Sequence, residues 1–175
     1  MSNARIMVAA LSLSATGLVA MAVHESYTDQ AVIPVKGDVP TYGFGMTTRP
    51  DGSPVQLGDR TTPVEALQRT LAYTQKADAQ IKRCVSAPLH QAEYDLMADF
   101  GYQYGTGALC ASSMVSRANA GDYVGSCEAY TEYRFVGKKP NRYDCSTLID
   151  GKPNRRCWGV WTRSQGRRAK CLEAQ

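Results

Sequence analysis

An uncharged run of eighteen residues, Ile6–Val23, begins directly after Arg5 and ends at His24-Glu25. Its length lies near the lower limit for a membrane span and exceeds the usual core of a signal peptide. Seven Leu, Ile and Val residues favour insertion, whereas five alanines, Ser12, Ser14, Thr16 and Gly17 dilute it. A segment with no polar face is not expected to lie half-exposed on a soluble domain. The run therefore reads as an export segment, and Ala20-Met21-Ala22 has the small-x-small pattern of a signal-peptidase site. The implied division is an N-terminal membrane segment over 1–24 and a folded domain over 25–175.

The cysteines agree with export. All six (Cys84, Cys110, Cys127, Cys145, Cys157 and Cys171) lie beyond the apolar run. No CxxC pair occurs, and His24 and His90 are far from any cysteine cluster, so no metal site is expected. Three disulfides in an oxidising compartment account for the set. Cys145–Cys157 flanks the Gly151-Lys152-Pro153-Asn154 turn and is the favoured first pair. Cys110–Cys127 and Cys84–Cys171 would then follow. A mean hydropathy of -0.34 excludes a polytopic membrane protein. The net charge of +4 is uneven: beyond position 130 there are 11 Lys/Arg and 4 Asp/Glu, giving +7. That basic end suits a polyanion, an anionic membrane surface or a carboxylate-bearing substrate. Its position among cysteines of an exported region argues against nucleic acid. Arg163, Arg167 and Arg168 read by default as a solvated face.

Residues 25–61 are rich in Gly, Pro, Val and Thr, with turn signals at Lys36-Gly37-Asp38, Pro50-Asp51-Gly52 and Leu57-Gly58-Asp59, and predict short strands and hairpins. Thr62-Pro63-Val64-Glu65 is a capping box, and Val64, Leu67, Leu71 and Ile81 continue at helical spacing to about Cys84. A second helix is expected over 89–104 with Leu96, Met97, Phe100 and Tyr104 inward, and Gly105-Thr106-Gly107 breaking the chain. Shorter helices are expected near 112–119, 122–135 and 165–172, and a disulfide-pinned loop over 137–160. Trp158 and Trp161 read as core or loop anchors. The fold class is α+β: an N-terminal apolar helix, a small β-hairpin lobe, then a larger helical lobe, with room for a cleft between the lobes.

Nucleotide, zinc-protease and Ser or Cys nucleophile signatures are absent from the sequence. What stands out is Glu25, followed by Gly37-Asp38-Val39-Pro40-Thr41-Tyr42-Gly43-Phe44-Gly45-Met46-Thr47. One carboxylic acid can act as a general acid when a second acid or polar pair holds water. These residues resemble the Glu…Asp…Thr active-site region of phage-type lysozymes (endolysins of glycoside hydrolase family 24). The resemblance continues at Cys84, at Pro88-Leu89-His90-Gln91-Ala92-Glu93-Tyr94-Asp95, at Tyr104-Gly105-Thr106-Gly107-Ala108-Leu109-Cys110, and at Gly166-Arg167-Arg168-Ala169-Lys170-Cys171-Leu172.

The resemblance implies a lysozyme-like fold and hydrolysis of the β-1,4 bond between N-acetylmuramic acid and N-acetylglucosamine, without a cofactor. It implies that the apolar run is a signal-arrest-release segment, tethering a monomeric enzyme to the inner membrane from the periplasmic side. Glu25, Asp38 and Thr41 are the catalytic candidates; Tyr42, Gln103 and Tyr104, with Tyr102, are substrate-binding candidates. Gly43 and Gly45 are expected to be structural. Two departures stand out. Family members usually have Gly after the Glu, where this chain has Ser26. The usual acid, counted from Glu25 or from Thr41, falls on Pro34 or Val35. Asp38, Asp29 on the helical face of Glu25, or a site with no carboxylate partner remain open. Two other functions are compatible: a lytic transglycosylase using a single Glu, and a non-catalytic peptidoglycan-binding exported protein.

Overall fold

The computed structural model describes residues 4–34, 37–137 and 142–175. The chain forms two compact units. One comprises Ser12–Gln80; the other joins the described residues up to Leu11 to Ile81–Gln175. The apolar run is thus divided between two units.

This corrects the expected continuous apolar helix. Val8–Ala10 makes one 3-10 turn, residues 11–14 have no regular structure, and helix α1 spans Ala15–Glu25. The Ser14 hydroxyl caps α1, accepting a hydrogen bond from the Gly17 N–H at 2.9 Å. Gly17 and Met21 are buried, whereas Val19 and Val23 are 62% and 72% exposed. The segment does lie half-exposed, against the expectation drawn from its lack of a polar face. Its alanines and small residues present little apolar area, so only a few side chains bear the exposure. No helix among the described residues is long and apolar enough to cross a membrane.

In the Ser12–Gln80 unit, β1 (Thr28–Val32) pairs antiparallel with β2 (Thr41–Gly43). Thr28 lies opposite Gly43 and Val32 opposite Thr41, with a bulge between. The loop to the next helix is held by Arg49, which donates to both carboxylate oxygens of Asp59 at 2.7 and 2.8 Å. Helix α2 (Pro63–Cys84) starts on the expected capping box. The Thr62 N–H donates to Glu65 Oε2 at 2.9 Å, and the Glu65 N–H donates to Thr62 Oγ1 at 3.3 Å.

Only the last member of the expected apolar series is buried. Ile81 is buried, preceded by Ala66, Thr70 and Thr74, while Val64, Leu67 and Leu71 are exposed. Close approach explains the choice of small residues. A Cβ placed on Gly43 would come within 2.9 Å of Ala66 Cβ, so neither position tolerates bulk. The buried Thr70 and Thr74 hydroxyls donate to the Ala66 and Leu71 carbonyls of the same helix, at 2.9 and 2.8 Å.

The other unit is mainly helical: α3 (Gln91–Tyr104), α4 (Thr106–Cys110), α5 (Ser113–Asn119), α6 (Tyr123–Glu128) and α7 (Trp158–Glu173). Its core includes Leu89, Tyr94, Met97, Phe100, Leu109, Met114 and Tyr130. The Phe100 ring lies 4.6 Å from Tyr104 and 4.7 Å from Tyr133 between centroids. Thr106 resumes a helix after Gly105, where a break was expected. Helix α7 begins seven residues before the expected 165, and the stretch 122–135 splits into α6, the 3-10 helix Ala129–Glu132 and a strand. The expected loop over 137–160 contains β4 (Tyr143–Asp144), paired with β3 (Phe135–Val136) just before it, and the pair β5 (Leu148–Ile149) with β6 (Lys152–Pro153).

Cys145–Cys157 forms as expected. The other two expected pairings do not: the bonds are Cys84–Cys110 and Cys127–Cys171, not Cys110–Cys127 and Cys84–Cys171. Their Cα separations of 5.5 and 5.3 Å suit a bridge. The first fastens the end of α2 to α4 and the second fastens α6 to α7. The arginines of α7 are also not a free basic face. Arg167 is 2% exposed and donates to Asp99 Oδ2 at 2.7 Å, and Arg163 donates to Asp99 Oδ1 at 2.8 Å. Arg168 makes a two-point pair with Glu128. Burial alone would raise the Asp99 carboxyl, but the two guanidiniums reverse this and hold it below the ordinary carboxylate range.

Candidate active site

Glu25 is the last residue of α1 and is half-buried. The chain then turns through Ser26, whose φ of 59° and ψ of 161° suit glycine far better than a residue with a side chain. The turn feeds straight into β1, and the pairing of β1 with β2 brings Thr41–Gly43 and the following Gly-rich turn alongside. The Glu25 carboxylate is close to that turn: a Cβ placed on Gly45 would lie 3.4 Å from Glu25 Oε2. Gly45 also has φ +78°, so its lack of a side chain serves both the turn and the space beside the acid. Tyr27 braces the arrangement, its ring 5.5 Å from Phe44 and its hydroxyl donating to the Thr61 carbonyl at 3.1 Å.

The remaining candidates fall out as follows. Thr41 opens β2 and is half-buried. Asp38 is exposed in the connection before it, with Oδ1 accepting the Val39 N–H at 3.0 Å. Pro34 is exposed; Val35 and the Lys36 end of the expected Lys36-Gly37-Asp38 turn lie outside the described residues. Asp29 is not on a helical face with Glu25, because α1 stops at Glu25 and Asp29 sits in β1, paired with Arg60 at 2.8 Å.

Tyr42 is only 4% exposed. Its hydroxyl accepts a hydrogen bond from Arg69, and the Arg69 guanidinium stands 5.2 Å from its ring centre, so it joins β2 to α2 rather than offering a face to a sugar. Tyr104 and Gln103 end α3 in the other unit. The Tyr104 hydroxyl donates to the Tyr133 carbonyl at 3.5 Å, and burial raises its pKa. Gln103 Oε1 is enclosed and accepts no hydrogen bond from the described residues.

A recess of about 280 Å³ in the Ser12–Gln80 unit is lined by Arg60, Thr61, Glu65, Gln68 and Arg69 beside Tyr42, and contains none of the catalytic candidates. Glu93, Cys127 and Cys171 bring three potential metal-ligand atoms within 4.8 Å of one another. The two sulfurs are bonded to each other, and Glu93 is paired with Arg5, so these groups are committed elsewhere. The Asp99–Arg163–Arg167 and Arg5–Glu93 pairs were missed from the sequence, since no local spacing links residues 64 to 88 positions apart.

Helices carrying small antiparallel hairpins, with a carboxylate at the end of a helix that leads into the first hairpin, define a lysozyme-like protein. The endolysin from Escherichia coli O157:H7 phage FAHEc1 has the same fold, with a TM-score of 0.79, 27% identity, and coverage of 95% of this chain and 96% of that one. The chain belongs to the phage lysozyme family, whose model matches residues 22–157. Among relatives, the SAR-endolysin of Escherichia phage N15 is 31% identical over 183 residues, spanning 98% of this chain and 97% of the relative. The endolysin of Salmonella phage P22 is 24% identical over 131 residues, spanning 75% of this chain and 89% of the relative.

Proposed function

We propose that this lysozyme is an endolysin that cleaves the β-1,4 bond between N-acetylmuramic acid and N-acetylglucosamine in peptidoglycan, lysing the host, with Glu25 as the general acid. The observation that carries the assignment of Glu25 is its carboxylate at the end of α1, beside the side-chain-free Gly45. Space next to a carboxyl group is what a leaving glycosidic oxygen needs in order to receive a proton. Thr41 and Asp38 follow on the same hairpin and are assigned to holding the attacking water. Tyr104 and Gln103 are assigned to substrate contact.

Glu25→Gln keeps the shape and removes the proton. Its turbidity-clearing rate on permeabilised cells should fall by about 10²–10⁴-fold. Clearing at the wild-type rate would remove Glu25 from the mechanism. Asp38→Asn should slow clearing, whereas Asp29→Asn, which only frees Arg60, should leave it nearly unchanged. The reverse order would reassign the second acid.

The membrane reading belongs to the same proposal. Residues 6–23 tether the newly exported enzyme to the inner membrane, with residues 25–175 facing the periplasm, and the structure described above is the released, monomeric form. The family relationship and the weakly apolar sequence of the run support this.

A further inference from the structure

The head of the apolar run is built into the mainly helical unit. Arg5 donates to both carboxylate oxygens of Glu93, from Nε at 3.2 Å and Nη2 at 3.1 Å. Glu93 is 3% exposed. The Arg5 guanidinium also stands 3.6 Å from the Tyr123 ring centre, and Nη2 donates to Gln175 Oε1 at 2.6 Å. The Gln175 amide in turn donates to Glu93 Oε1 at 2.8 Å. One residue on, Ile6 and Leu89 exchange both backbone hydrogen bonds at 2.8 Å. Val8 and Leu11, each 3% exposed, complete the docked segment.

Resting on the tether reading above, we infer that the Arg5–Glu93 socket is an intramolecular docking site that competes with the bilayer for the N-terminal segment and drives its release. The two placements exclude each other. With residues 6–23 spanning the membrane as a helix, Arg5 sits on the cytoplasmic side, about 27 Å from the end that leads into Glu25. It cannot reach Glu93 in an exported domain.

A competing site must distinguish the two states. The buried apolar side chains do this poorly, because a lipid tail and a protein interior satisfy Val8 and Leu11 about equally. Ile6, Met7, Val19 and Val23 oppose release, since they are 49%, 57%, 62% and 72% exposed in the folded form. Arg5 is the discriminating group. When it is across the membrane, Glu93 loses its counter-charge and retains the His90 N–H and the Gln175 amide as neutral donors. When it docks, the pair is complete.

The test uses the full-length chain in vesicles of bacterial phospholipid with an imposed membrane potential. Glu93→Gln and Arg5→Lys both leave the apolar run untouched; the first retains a helix-capping acceptor, and the second retains the flanking positive charge. After the potential is collapsed, the wild-type chain should appear in the supernatant; Glu93→Gln should remain vesicle-bound with a released-to-bound ratio at least about tenfold lower, and Arg5→Lys, which keeps the charge but loses the two-point geometry, should fall between the two. Activity of the soluble fraction of each variant, per molecule, should match wild type, which separates docking from misfolding. Release of both variants in the wild-type ratio overturns the docking inference and leaves the tether standing. A wild-type chain that never associates with the vesicles overturns the tether and the inference with it.

Discussion

At the position following the proposed acid, Ser26 adopts a backbone conformation that costs a non-glycine residue on the order of 1–3 kcal/mol. Ser26→Gly should relieve part of that cost, offset by the greater freedom of glycine in the unfolded chain, for a net gain of up to about 1 kcal/mol. Denaturant unfolding measures it, and an unchanged or lower midpoint would mean the turn holds no strain. Asp99 shows a different kind of dependence on one residue. Its folded pKa is held down by Arg167 and Arg163, so its contribution is present above the unfolded carboxylate range near pH 4 and disappears as pH falls through the lower, folded value. Asp99→Asn should cost about 3–5 kcal/mol at neutral pH, because Arg167 is left buried without its counter-charge. The variant should also lose less stability than wild type on acidification below pH 4, as thermal melts across pH would show. The Gly-rich hairpin beside Glu25 was legible in sequence because it lies within one short stretch. Tyr42 was read as a sugar contact because an aromatic beside Thr41 looks the same on paper whether it faces solvent or, as here, packs under Arg69.

Among the elements, α2 was located by its cap, but of its apolar series only Ile81 is on the buried face. Apolar spacing pointed to Val64, Leu67 and Leu71, whereas contact with Gly43 selects for small residues, and hydropathy does not register closeness of approach. The β5–β6 hairpin was in principle readable. Asp150 and Gly151 both have positive φ, at 51° and 73°, as a tight two-residue hairpin turn requires, and the Asp-Gly pair is a strong signal for one. The expected Gly151–Asn154 turn lies two residues beyond the observed one. Disulfide connectivity was not readable beyond the short loop, since pairing follows tertiary contact. The bridges differ in how much of the chain they close: Cys127–Cys171 spans 44 positions and Cys145–Cys157 spans 12. Loop entropy assigns them about 4 and about 3 kcal/mol. Paired Ala substitutions should therefore lower the melting temperature more at 127/171 than at 145/157. The opposite order would show that packing of α6 on α7 survives without its bond.

At the scale of the whole molecule, the proposed function asks one N-terminal run to serve two environments. Ser12 and Ser14 interrupt an apolar stretch that folds as a 3-10 turn, a linker and a capped helix; under the tether reading, its seven Leu, Ile and Val residues supply a marginal preference for lipid. Ser12 and Thr16 are exposed in the folded form, so Ser12→Leu with Thr16→Leu should leave folding nearly intact while each leucine adds about 0.3–0.6 kcal/mol to insertion. Lysis by the double variant should be delayed; lysis on the wild-type schedule would dissociate timing from insertion strength. The general division into a hairpin region and a helical region was legible because turn residues cluster before Thr62 and helical periods dominate after it. The fate of the apolar run was not, because a sequence too apolar for one solvent and too polar for another does not declare which one holds it. The central claim, hydrolysis with Glu25 as the acid, is tested most directly by mass spectrometry of the fragments released from purified peptidoglycan. Wild type should yield muropeptides ending in reducing N-acetylmuramic acid, carrying the mass of one added water, and Glu25→Gln should yield almost none. Anhydro-muramic ends from the wild type, or the same hydrolysed fragments from Glu25→Gln, would contradict it.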